Sequence, residues 1–244
     1  MESLLAPTAA SLGADLRQVC DRLHQDGWRA VQLSAAMPGT RPRDLNASAR
    51  RDLAAMLRRM ELVASGLDLW IPREHFLDSS TVERAVDAIA AGCELAHDLS
   101  IDSLSVQLPE AEVLDPAAGE AILAAAAHRG VMLADHRVCS GPPESTAAGL
   151  DPAACLSMDR DPVEDVIMLG SSLVSPRLSD LLTTGLRGPV GAPEGRLDLA
   201  AYRAAVVTIA RERPVVLDLR QLESPWNAMQ IGRQAWAAAG TGGP

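Results

Sequence analysis

The chain has 244 residues, 48% of them hydrophobic and 22% charged, which suits one large globular domain with a full core. A net charge of −10 with no compensating Lys/Arg cluster argues against a phosphate-backbone partner, and no apolar run approaches the ~18 residues of a membrane span. All 22 basic residues are arginine, so Schiff-base chemistry and a phosphate-loop lysine are excluded.

The elements alternate from the start. "SLLAP" is a short strand candidate. "SLGADLRQVCDRLHQDG" puts Leu12, Leu16, Val19, Cys20 and Leu23 on one helical face and stops at Gly27. "WRAVQLSA" is strand-like. "NASARRDLAAMLRRMELVASG" predicts a helix capped at Asn46 or Ser48 and stopping at Gly66, and "LDLWIP" a strand cut off by Pro72. "SSTVERAVDAIAAGCELAHDLS" repeats the helical stripe at Val82, Val86, Ile89, Cys93 and Ala96, and "IDSLSVQLP" is a strand.

In the second half, "DPAAGEAILAAAAHRG" opens with Asp115 as N-cap and Pro116 at the first helical position, and stops at Gly130. "VMLAD" is a strand and "AAGLD" a weak one. "DPVEDVIMLG" is a helix start. "SLVSPRLSD" is a strand in which Pro176 argues against a central paired position. "DLAAYRAAVVTIARER" is a helix, "PVVLDL" a strand, and "SPWNAMQIGRQAWAAAG" a last helix. Eight strand candidates, most followed by a helix, predict a single (β/α)8 TIM barrel over residues 1–239, with a reduced or missing helix around 137–160 and a loose tail at 240–244.

Cys20, Cys93, Cys139 and Cys155 form no Cys-x-x-Cys pair, and the N-terminus has no positively charged leader region. The expectation is a reduced, cytoplasmic protein.

In such a barrel, function sits at the C-terminal ends of the strands. Asp135 and His136 end "VMLAD", Asp151 ends "AAGLD", Arg177 lies in "LVSPRLSD", and Asp218 ends "PVVLDLR". Asp151 precedes Pro152, so a helix cap competes there with a site role. Trp70 closes the third strand, where a pocket-lining ring competes with plain barrel packing. Glu194 in "APEGR" is either a loop acid reaching over the barrel mouth or a solvated one.

The serial order of these segments resembles the xylose isomerase-like TIM barrels, the sugar phosphate isomerase/epimerase superfamily. "DGWRAVQL" resembles the entry to the second strand, "HRGVMLADHR" the fifth strand, "LVSPRLSD" with "VGAPEGRLDLAAYRAAV" the seventh strand and its loop, and "PVVLDLR" the eighth. The resemblance implies a divalent metal held by Glu, Asp, His and Glu from strands five to eight, with the two Glu residues moving protons between sugar carbons.

This sequence departs from that pattern. Asp135 and Asp218 stand at the Glu positions, and Asp151 retains the Asp. Ser175-Pro176-Arg177 replaces His-x-His, Ala154 replaces a second His, and no histidine follows His136. Each Glu-to-Asp change withdraws a carboxylate by one methylene, and metal–oxygen bonds of ~2.0–2.6 Å leave little slack. Arginine has no lone pair to give.

The expectation is therefore that Arg177 replaces the metal among Asp135, Asp151 and Asp218, with its forked donors on their carboxylates. On the resemblance, Asp135 and Asp218 are the catalytic candidates, and His136, Arg177, Trp70 and Glu194 the substrate-binding ones. Asp135, Asp151 and Asp218 are the metal candidates. Either no cofactor or a weakly held Mn²⁺, Mg²⁺ or Zn²⁺ is implied. Three functions stay open: an isomerase/epimerase relative with a degraded metal site, a non-catalytic barrel binding a carbohydrate-like metabolite or a protein, and a metal-independent isomerase or lyase using Asp135, Asp218 and Arg177. No nucleic-acid or membrane partner is expected, and homo-oligomerisation is left open.

Overall fold

The structure, a computed structural model, describes residues 4–137 and 146–241. Strands β1 (Leu5–Pro7), β2 (Ala30–Ser34), β3 (Val63–Asp68), β4 (Ser103–Val106), β5 (Met132–Asp135), β6 (Ala147–Leu150) and β7 (Leu173–Leu178) belong to one parallel sheet. A two-stranded antiparallel ribbon, β8 (Asp180–Leu181) with β9 (Arg187–Gly188), follows β7. The eighth barrel strand, β10 (Val215–Leu217), pairs with both β7 and β1. A single parallel bridge, Thr8 to Gln32, links the first and second strands and nearly closes the barrel.

The helices wrap this sheet. They are α1 (Ala9–Leu12), α2 (Leu16–Gln25), α3 (Ala47–Arg59), α4 (Glu74–Leu77), α5 (Val82–Asp98), α6 (Pro116–Arg129), α7 (Pro152–Ser157), α8 (Pro162–Leu169), α9 (Leu199–Ile209) and α10 (Pro225–Thr241). Their starts follow the sequence signals. Asp15, Asn46, Asp115, Asp161 and Asp198 each accept a hydrogen bond from a backbone N–H of the first turn. Gly130 ends α6 at φ 65°, a left-handed conformation that glycine adopts without a steric penalty. Leu23, Ile89, Cys93, Val206 and Trp236 bury the inner helix faces against the strands. Full burial of an aliphatic side chain such as Ile89 contributes ~1.5–3 kcal/mol.

Three expectations need correction. Gly66 does not stop the second long helix: α3 ends at Arg59, and Gly66 lies inside β3. Its role is close packing, because a Cβ there would lie 2.8 Å from Gln32 Oε1 and 3.2 Å from Ser103 Oγ. Pro176 does sit in a central strand, between β6 and β10, where the pairing with β6 is shifted between Ala148 and Gly149. Such an irregularity is a position where a missing N–H is tolerated. The last helix continues through Gly240 to Thr241, and residues 242–244 of the anticipated tail lie outside the described residues. The reduced helix expected around 137–160 is the six-residue α7, which follows β6, while 138–145, including Cys139, lie outside the described residues.

Candidate functional site

The C-terminal ends of β3, β6, β7 and β10 converge on one buried cluster of ionic side chains. Arg177, projecting from β7, is its centre and is 0% exposed. Its guanidinium donates to Asp68 at the end of β3 and, at 3.3 Å, to Asp218 just past β10. A buried cation is tolerated only when paired and hydrogen-bonded, and these two carboxylates supply that pairing. The backbone beneath is fixed by Tyr202 of α9, whose hydroxyl donates to the Arg177 carbonyl at 2.6 Å. Burial pushes the Tyr202 phenol well above its ordinary value, so it stays a neutral donor.

Two further arginines close the cluster toward solvent. Arg187, on β9, donates to Asp151 at 2.9 Å and 3.3 Å and to Asp218 at 3.1 Å. Arg220 folds back on Asp218, with its Nε at 2.9 and 3.0 Å from the two oxygens, and reaches Asp151 at 3.2 Å. Ser179 Oγ donates to Asp151 at 2.6 Å. Burial alone would raise the Asp218 pKa, but Arg177, Arg220 and Arg187 outweigh it and hold the carboxyl well below the usual aspartate range. In turn Asp218 raises the Arg220 pKa against the effect of burial.

Trp70 lies over this cluster, with the guanidinium carbons of Arg177 and Arg220 at 4.9 Å and 4.8 Å from its ring centroid. Cations near an aromatic ring at this range are attracted by its quadrupole. His136 meets Trp70 edge-on, at 5.2 Å between centroids and 78° between planes. The imidazole is buried against Gly149, where an added Cβ would lie 2.1 Å from His136 Nε2. Burial pushes its pKa well below the ordinary value, and the Arg177 and Arg220 cations push the same way against Asp218. Among the described residues neither ring nitrogen has a hydrogen-bond partner, and the same holds for Arg177 Nε and Trp70 Nε1.

The sequence-derived candidates thus separate. Arg177, Asp151, Asp218, Trp70 and His136 come together. Asp135 does not join Arg177: its oxygens accept from Arg137 Nε at 2.6 Å and from the N–H groups of Arg137 and Leu108. Its place beside Arg177 is taken by Asp68. Burial raises the Asp135 pKa, with Arg137 opposing. Asp151, despite the Asp-Pro start of α7, makes no cap hydrogen bond and spends its oxygens on the cluster. Glu194 is exposed, and its backbone carbonyl accepts from the Thr183 N–H. Asp180 is buried and structural, taking the N–H groups of Leu181, Arg196 and Leu197.

Sequence reading missed Asp68, Arg187 and Gln32. Gln32 donates to Asp68 at 2.7 Å, and its other amide atom accepts from Ser65 at 2.7 Å. An available signal was the repeat of one pattern: "LDLW" at Asp68 and "LDLR" at Asp218 both set an acid inside an apolar strand end.

The donor set does not suit the divalent metal that the sequence resemblance implies. Both oxygens of Asp151 and of Asp218 already face guanidinium groups, Asp135 is turned away, and strands β6, β7 and β10 carry no imidazole. Among the described residues no group of three His, Cys, Asp or Glu side chains is placed to hold a metal ion.

No family model and no curated protein sequence matches the chain. Solved structures match it over nearly its full length. A xylose isomerase domain protein from Planctomyces limnophilus aligns at TM-score 0.72 and 14% identity, over 98% of this chain and 95% of that one. A D-tagatose 3-epimerase-like protein aligns at TM-score 0.74 and 13% identity, over 98% and 99%. An L-ribulose 3-epimerase aligns at TM-score 0.70 and 15% identity, over 99% and 94%. These place the fold among the xylose isomerase-like TIM barrels.

Proposed function

We propose that this protein is a sugar isomerase/epimerase-like barrel whose metal site has been replaced by an internal arginine cluster, and that it binds a carbohydrate-like small molecule at the barrel mouth without metal-dependent proton transfer. The observation that carries this reading is the fully buried Arg177 guanidinium between Asp68 and Asp218. A cation is already built into the position where clustered carboxylates would otherwise need one.

The proton-transfer roles fare poorly in this geometry. A general base needs a free oxygen within hydrogen-bond reach of the carbon acid, and a pKa near the working pH. Asp218 is held ionised far below that range and both its oxygens accept from Arg220. Asp135 has a raised pKa, but its oxygens are taken by Arg137 and two backbone N–H groups. What the mouth retains is recognition chemistry: the half-buried indole of Trp70 and, packed edge-on against it, the neutral imidazole of His136.

The test is proton exchange. D-tagatose, L-ribulose and their phosphates are incubated with the protein in D₂O, with and without Mn²⁺, and C3 deuteration is followed by NMR. The expected result is no exchange above the metal-only control. Exchange that disappears in Asp218→Asn would overturn the proposal.

A further inference from the structure

We infer a second small-molecule site, for a neutral polyhydroxylated ligand, in the cleft between the β8–β9 ribbon and the β10–α10 connection. The cleft has a volume of about 600 Å³. That lies within the usual size range of ligand pockets, ~300–1,000 Å³. It is distinct from the barrel mouth and shares only Arg187 with it.

One wall is aliphatic. Leu182 and Leu186 line it from the ribbon, and Leu222 lines it from the connection. Leu186 is 68% exposed, which leaves a large apolar side chain without a covering neighbour. The β10–α10 connection and the start of α10 also bring Gln221, Glu223 and Asn227 to the lining. All three are exposed, and among the described residues none of their side chains has a protein hydrogen-bond partner, which leaves two amides and a carboxylate open to a ligand. Gln221 is at φ 66°, a left-handed conformation uncommon for a non-glycine residue.

The lining selects the ligand class. Two amides offer both donors and acceptors, and the carboxylate accepts, a mixture that matches hydroxyl groups. The aliphatic wall suits the C–H face of such a molecule. An anion is disfavoured, because Glu223 is the uncompensated charge of the lining while Arg187 is already paired with Asp151 and Asp218.

The test uses maltose as probe and inorganic phosphate as the anionic control, titrated into the intact protein and followed by backbone amide shifts. Maltose is expected to move the amides of residues 182–188 and 221–227, and phosphate to leave them in place. Asn227→Ala is expected to weaken maltose binding about fivefold, the loss of one or two hydrogen bonds. Leu186→Ala, at an exposed position that folding does not depend on, is expected to weaken it as well. Unchanged thermal unfolding in both variants ties the loss to the cleft. The inference is overturned by three results: no shifts with maltose, maltose shifts at other residues or unaffected by both variants, or a stronger response to phosphate.

Discussion

Asp135 and Asp218 stand at or just past the ends of two parallel strands on the same rim of the barrel and are both buried, yet folding moves their protonation in opposite directions. Asp218 meets three guanidinium groups and is held ionised. Among the described residues Asp135 meets Arg137 and the backbone N–H groups of Arg137 and Leu108, too little to offset burial, and its pKa rises. Residue type and strand position do not determine a carboxylate's chemistry; the number of cations brought to it does. Arg177 reaches Asp218 from β7, Arg220 from two residues further along the chain, and Arg187 from the β8–β9 ribbon.

The comparison breaks most severely at Arg177. Arg177→Met removes the inner cation and leaves Asp68 and Asp218 facing each other in a buried space. The expected cost is about 3–5 kcal/mol in chemical denaturation. A loss below about 1 kcal/mol would mean that Arg187 and Arg220 alone satisfy the cluster.

The two carboxylates can then be compared directly. Asp218→Asn leaves three guanidinium groups short of charge and is expected to cost about 2–4 kcal/mol. Asp135→Asn frees one part-exposed arginine and is expected to cost about 1 kcal/mol. Equal costs in denaturant titrations would contradict the asymmetry.

His136 lies between the two regions and tests how tightly they are packed. Gly149→Ala drives a Cβ into the imidazole, at a cost of about 1–3 kcal/mol. Adding His136→Ala is expected to recover part of that loss, measured as coupling in a double-mutant cycle.

The smallest effect is the pH dependence. His136 has a folded pKa below its ordinary value of 6.5, so its neutral form contributes stability that is present above that pH and is lost as the pH falls toward the folded value. The slope is at most ~1.4 kcal/mol per pH unit. Asp218, also lowered, adds stability that is present above its ordinary value of 3.8 and is lost at still lower pH. Asp135 acts oppositely: its contribution is full below 3.8 and is lost as pH rises through its raised pKa. His136→Phe is expected to flatten the stability profile just below pH 6.5 and leave the acid limb in place, as read by thermal unfolding across pH.

The architecture was legible because alternation, Asp-Pro helix starts and glycine stops are local signals, and they gave the barrel. The errors at Gly66 and Pro176 share one cause. Each residue breaks a rule of local propensity, and each is explained by a partner distant in sequence: Gln32 and Ser103 for Gly66, and the irregular β6 pairing for Pro176. At the site, Asp151, Asp218 and Arg177 were legible as polar residues at strand ends. Asp135 could not be separated from them, because what turns it away is Arg137 and the Leu108 N–H, contacts without a periodic signature. Arg187 was hidden in an irregular ribbon, where no sequence period marks which side chain points inward.

The most direct measurement is calorimetric titration of Mn²⁺ into the purified protein, repeated on Asp151→Ala. The expected result is no stoichiometric binding in either, because the carboxylates that would ligate the ion already serve guanidinium groups. Binding of one Mn²⁺ that Asp151→Ala abolishes would contradict the replacement of the metal by arginine.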